Sequence, residues 1–104
     1  MRVTNIHRTD EWFKVLETTE HSQTAVMTLE AGAASGDRAE AHPNSDQTFL
    51  VIDGEVIGEI GSEKVILLAG DSVIVPAGVK YRFQNAGDKR AVTFSVYAPP
   101  AYPE

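Results

Sequence analysis

QTFLVIDGEVIGEIGSEKVILLAGDSVIVPAGVKYRFQN, residues 47–85, divides its apolar content into runs of strand length, each closed by a turn that contains Gly or Pro. Val, Ile and Phe dominate the runs, and turn signals return every eight to twelve positions or so, the pattern of an all-β sandwich or barrel. Near the end of the stretch, Lys80, Arg82 and Gln84 alternate with Tyr81 and Phe83. A strand of that period has one solvated face and one buried face. Asp53-Gly54, between two apolar runs, predicts a tight hairpin turn.

Outward from this stretch the same grammar continues. Residues 11–17 (EWFKVLE) and 23–30 (QTAVMTLE) predict two earlier strands, and residues 91–97 (AVTFSVY) predict a last one. Residues 31–41 (AGAASGDRAEA) lose apolar content and carry two glycines, which predicts a loop. The tail, residues 98–104 (APPAYPE), holds three prolines that cannot enter a ladder interior. A chain with roughly eight or nine short strands must avoid long free edges, and curling into a closed barrel or jelly roll achieves this.

Composition narrows the chemistry. The 104 residues suit one domain over the whole chain, and 42% hydrophobic with 23% charged residues is ordinary for a folded globule. No apolar run approaches the roughly 18 residues of a transmembrane helix, and the opening MRVTNIHRTDEW lacks the apolar centre of a secretory signal, so the expectation is a cytoplasmic protein with no membrane partner. The absence of cysteine removes disulfides, thiolate ligands and cysteine nucleophiles, leaving nitrogen and oxygen donors for any metal. A net charge of -6 with scattered basic residues argues against nucleic-acid binding. No P-loop, dinucleotide fingerprint or nucleophile elbow is found.

Two blocks carry a family likeness. Glu40-Ala41-His42, four residues, Gln47, six residues and Gly54 keep the spacing of the first motif of the cupin superfamily, H-x-H-x(3,4)-E-x6-G, while changing identities. Gly70, five residues, Pro76-Ala77-Gly78, two residues, Tyr81, three residues and Asn85 resemble its second motif, G-x5-P-x-G-x2-H-x3-N, at every fixed position but Tyr81. With TEHSQTAVMTL before them and VYAPPAYP after, the likeness to small single-domain cupins spans most of the chain. It implies a double-stranded β-helix, the jelly-roll barrel.

In metal-binding cupins these positions deliver three histidines and a glutamate to a divalent ion inside the barrel. By position, the resemblance implies Glu40, His42, Gln47 and Tyr81 as ligands for a transition metal: iron, manganese, zinc or nickel. Only His42 and Glu40 are strong donor types; Gln47 offers a neutral amide oxygen and Tyr81 a phenol with a reference pKa near ~10, so a weak or selective site is expected. Each residue also has a plainer role. Glu40 suits a solvated loop, His42 a turn that satisfies it through backbone, and Gln47 a hydrogen bond to Tyr81 across a metal-free barrel.

Phe49, Val51, Phe83 and Phe94 are candidate pocket walls, although inward aromatics also serve simply as core. His7 and His21 read as surface residues. Adjacent Trp12 and Phe13 cannot both face inward on one strand, and cover from a second subunit makes a homodimer the expected assembly. Two functions remain open: a metal-dependent small-molecule enzyme of oxygenase, isomerase or lyase type, and a metal-free barrel that binds or senses a small-molecule ligand without turnover. A purely structural barrel would instead have its interior plugged by side chains.

Overall fold

A computed structural model describes residues 1–103. It contains eight strands: β1 (Phe13–Thr18), β2 (Gln23–Leu29), β3 (Asp46–Asp53), β4 (Glu55–Ile60), β5 (Glu63–Leu68), β6 (Ser72–Val75), β7 (Tyr81–Gln84) and β8 (Ala91–Ala98). Five form one antiparallel sheet in the order β1-β2-β8-β3-β6, and three form a second in the order β5-β4-β7. The chain crosses between the sheets from β3 to β4, β5 to β6, β6 to β7 and β7 to β8, giving the jelly roll expected of the sequence. Among the described residues no helix is long and apolar enough to cross a membrane.

The sheets face each other across one core. Its centre is a parallel stack of Phe49 from β3 on Phe83 from β7, ring centroids 3.7 Å apart, both fully buried. Val51, Val56, Leu67 and Leu29 pack around the stack. Opposed residues of neighbouring strands share a face, so the registers divide the interior of the five-stranded sheet into rows. The deep rows pair Leu29 with Ala91, and Met27 with Thr93 and Val51. The outermost row is polar: Gln23, Tyr97 and Gln47 lie abreast on β2, β8 and β3. Polarity therefore rises along the barrel from a sealed end to an open one.

Two sequence expectations change, and a third, the loop at residues 31–41, holds with two isolated bridges added. Asp53-Gly54 makes no hairpin: β3 pairs with β6 and β8, and Gly54 is the corner where the chain leaves one sheet for the other. Gly54 has φ +82°, and a Cβ there would stand 2.8 Å from the Arg90 carbonyl oxygen, so both conformation and space demand glycine. The two-residue hairpin is Gly61-Ser62, joining β4 to β5. The loop at residues 31–41 is tied to β7 by those bridges, which pair Ala34 with Gln84 and Glu40 with Tyr81.

Secondly, Phe94 is not a pocket wall. Along β8 the buried residues are Ala91, Thr93, Ser95 and Tyr97, while Val92, Phe94 and Val96 lie on the opposite face. Phe94 pairs with Val26 and Leu50 on the outer surface of the larger sheet. The strand thus turns its small and polar members into the barrel and its apolar members out, the reverse of the usual assignment. The motif asparagine, Asn85, is wholly buried: its amide nitrogen donates to the carbonyls of Leu29 and Lys89, locking the turn before β8.

Candidate functional site

The polar row opens into a pocket of about 220 Å³ at the mouth of the barrel. Phe13, Met27 and Phe83 form its apolar depth; Tyr81, Tyr97 and Tyr102 surround its polar side, where Ser35, Gln47 and Ser95 also contribute. Trp12 completes the rim and is 58% exposed, whereas Phe13 turns inward against the core. Trp12 lies just before β1, and its ring centroid is 5.9 Å from that of Phe13, so both rings face the pocket and the expected opposition of the two side chains is not seen. Phe49 and Val51 stay in the core below, so of the four candidate walls Phe83 alone lines this pocket.

The four positions expected to share an ion fall into separate groupings. His42 and Tyr81 meet: the imidazole Nε2 lies 2.7 Å from the Tyr81 hydroxyl oxygen and 3.4 Å from that of Tyr102. Local backbone chemistry sets the imidazole there. The Gly78 N–H of the Pro76-Ala77-Gly78 turn donates to the His42 carbonyl, and the Ala77 N–H donates to the Asp46 carboxylate, so the second motif's turn grips the first motif's strand entrance.

Glu40 is bound to Tyr81 through backbone, with N–H to carbonyl distances of 3.0 and 2.8 Å in the two directions. Directly opposed residues share a face, and the Glu40 carboxylate stands at the exposed edge of the His42–Tyr81 pair. Gln47 is buried and bonded elsewhere. Its Nε2 donates to the Ser95 hydroxyl at 3.1 Å and the Tyr97 hydroxyl at 3.4 Å, and the expected bond to Tyr81 is not made. Gln47 Oε1 is buried without a hydrogen-bond partner, alone in that respect among the buried side-chain polar atoms of the described residues. A buried amide end left bare costs about 1–3 kcal/mol, so a group that fills it gains by doing so.

Burial is the largest influence on the titrating groups of the site. Burial pushes the His42 imidazole below its ordinary pKa, and Glu40 opposes the shift. Burial, followed by the proximity of Tyr102 and Glu40, pushes the Tyr81 phenol upward; burial also raises Tyr97, helped by Tyr102 and Tyr81 and opposed by its bond with Ser95. At pH 7 the imidazole is unprotonated and both phenols keep their protons. No three His, Asp or Glu side chains among the described residues form a group that could hold a metal.

Tyr97 and Tyr102 are the functional residues that sequence reasoning missed. Tyr97 was legible as the partner of Thr93 and Ser95 at period two. Tyr102 was not, because it is placed by a contact 79 positions away in sequence. The fully buried Gln23 amide holds the tail as a strand neighbour would: its Oε1 accepts from the N–H groups of Ala101 and Tyr102, and its Nε2 donates to the Tyr102 carbonyl. The Ser45 hydroxyl donates to the Pro100 carbonyl. The strap so formed lays the Tyr102 ring against Phe13, His42 and Tyr97, with centroids 5.1–5.2 Å apart.

Known proteins share this architecture. The cupin-domain family Cupin_2 matches residues 25–97. The uncharacterized protein YrkC of Bacillus subtilis (strain 168) is 34% identical over 105 residues, covering 95% of this chain and 53% of that protein. The chain thus spans about half the length of that relative. BH2720 from Bacillus halodurans superposes with a TM-score of 0.89 at 26% identity, covering 99% of this chain and 84% of its own. TT1209 from Thermus thermophilus gives a TM-score of 0.82 at 23% identity, with 95% and 98% covered, a likeness of fold.

Proposed function

This chain belongs to the cupin family, and we propose that its barrel binds a small molecule directly through side chains, without a metal ion. The observation that carries this reading is the bare end of the Gln47 amide, buried in a residue that lines the pocket. Such a group is satisfied in native proteins by water or by a ligand. The surrounding rings supply contact area at little entropic cost, since each has two rotatable side-chain bonds.

A transition metal held by Glu40, His42, Gln47 and Tyr81 fits this pocket less well. A divalent ion withdrawn from water needs anionic or imidazole ligands close at hand. Among the described residues one neutral imidazole is available, the Glu40 carboxylate stands at the solvent edge, and the phenol is held more firmly to its proton than a free tyrosine. The Gln47 amide nitrogen is already engaged with two hydroxyls.

Amide-resolved NMR with a library of neutral small molecules tests the reading. Binders are expected to shift the Gln47 side-chain amide together with Ser95, Tyr97 and Tyr102. A library that leaves these signals in place, or shifts a remote surface instead, overturns it.

A further inference from the structure

From the walls of this pocket we infer the chemical class of its occupant: an uncharged, monocyclic aromatic molecule carrying a hydroxyl that bonds to Gln47. The inference rests on the binding reading just proposed and goes further by naming what is bound.

Size comes first. An apolar cavity of about 150 Å³ takes benzene. A volume of about 220 Å³ therefore admits one ring with one or two small substituents, and lies below the roughly 300–1,000 Å³ of pockets that hold drug-sized ligands. Charge comes second. Among the described residues no lysine, arginine, aspartate or glutamate lines the pocket, so an ionised guest would lose its hydration without a counter-charge.

Shape and polarity complete the class. The rings at the mouth do not stack: Phe13 and Tyr102 are tilted by 58° and Tyr97 and Tyr102 by 83°. Such walls present both ring faces and ring edges, and a guest ring meets each with its own edge or face, the arrangements that aromatic pairs favour. Of the buried side-chain polar atoms of the described residues, only the Gln47 amide oxygen lacks a partner, and Gln47 lines the pocket. A hydroxyl both donates and accepts, so it satisfies that amide whichever end is presented. Ser95 and Tyr97 hold the other end and so fix the direction in which it points.

The experiment compares probes by Trp12 fluorescence and ligand-observed NMR on the full chain, Trp12 being the single tryptophan and part of the rim. p-Cresol is expected to bind about tenfold more tightly than 4-methylanisole, which keeps the ring but cannot donate, and than toluene, which has no hydroxyl. Benzoate and benzylammonium are expected to bind more weakly still. In Gln47→Leu the preference for p-cresol over toluene is expected to vanish while toluene binding persists. Should that variant fail to fold, the wild-type series decides alone. Equal affinity for toluene and p-cresol, or a preference for either ion, overturns the inference. If cyclohexanol or short aliphatic alcohols shift the Gln47 amide and no aromatic probe does, the class assigned here is wrong while the binding pocket stands. If no probe and no library member reaches Gln47, both fall together.

Discussion

Replacing Gln23 by leucine removes the clamp that holds the C-terminal strap over the pocket while keeping the volume of the side chain. Four hydrogen bonds are lost: the two that Oε1 accepts from Ala101 and Tyr102, and the two that Nε2 donates to Tyr102 and Thr18. Each is worth about 0.5–1.5 kcal/mol net. The tail groups regain water once the strap lifts, so the expected loss of unfolding free energy is about 2–4 kcal/mol, toward the lower part of the simple sum. At about 4–8 °C per kcal/mol for a domain near this size, the melting temperature falls by about 8–32 °C, as followed by circular dichroism. A chain ended after Ala98 supplies the control. There the tail partners are already gone and Gln23→Leu removes the Thr18 bond alone, so the same substitution is expected to cost about 1 kcal/mol or less. Equal losses in the two backgrounds would refute the reasoning, because the buried amide would then be stabilising something other than the strap.

The remaining predictions concern other parts of the barrel. His42 has a folded pKa depressed below its unfolded value near ~6.5, so the unfolded chain takes up the proton first. Its contribution to stability is complete above that unfolded pKa and is lost as pH falls toward the depressed folded pKa; urea melts from pH 7.5 to 5 are expected to show this slope, and His42→Gln to flatten it. An identical slope in the variant removes His42 from the explanation. Gly54→Ala is expected to lower stability by about 2–4 kcal/mol, since it combines a positive φ with a backbone clash, and a loss under about 0.5 kcal/mol in denaturant melts contradicts the corner geometry.

What was legible in the sequence followed from local geometry. Turn residues at fixed offsets and alternating patterns located the strands, and the two spaced motifs pointed to the family before any coordinate. The failures have one cause in common: a partner distant in sequence overrides a local signal. Asp53-Gly54 carries a hairpin's residues, yet its flanking strands pair with β5, β6, β7 and β8 instead of each other. The apolar members of β8 suggested a core-facing set, but the barrel reserves its interior there for Thr93, Ser95 and Tyr97, which bond to Met27, Gln47 and their neighbours across the sheet. In the site, motif spacing did bring His42 and Tyr81 together. It could not tell that Gln47 would turn to Ser95 and Tyr97, or that a proline-rich tail would return to Gln23 and close the pocket with Tyr102.

Whether the polar groups at the barrel mouth serve one another and an organic guest, rather than an ion, is tested most directly by calorimetric titration of the purified chain with manganese, ferrous iron, zinc and nickel. The expected result for wild type is no saturable heat at micromolar metal, with Tyr81→His, which restores a second imidazole beside His42, gaining measurable affinity. One equivalent of any of these ions bound by wild type with micromolar or tighter affinity, and lost in His42→Gln, would contradict the account.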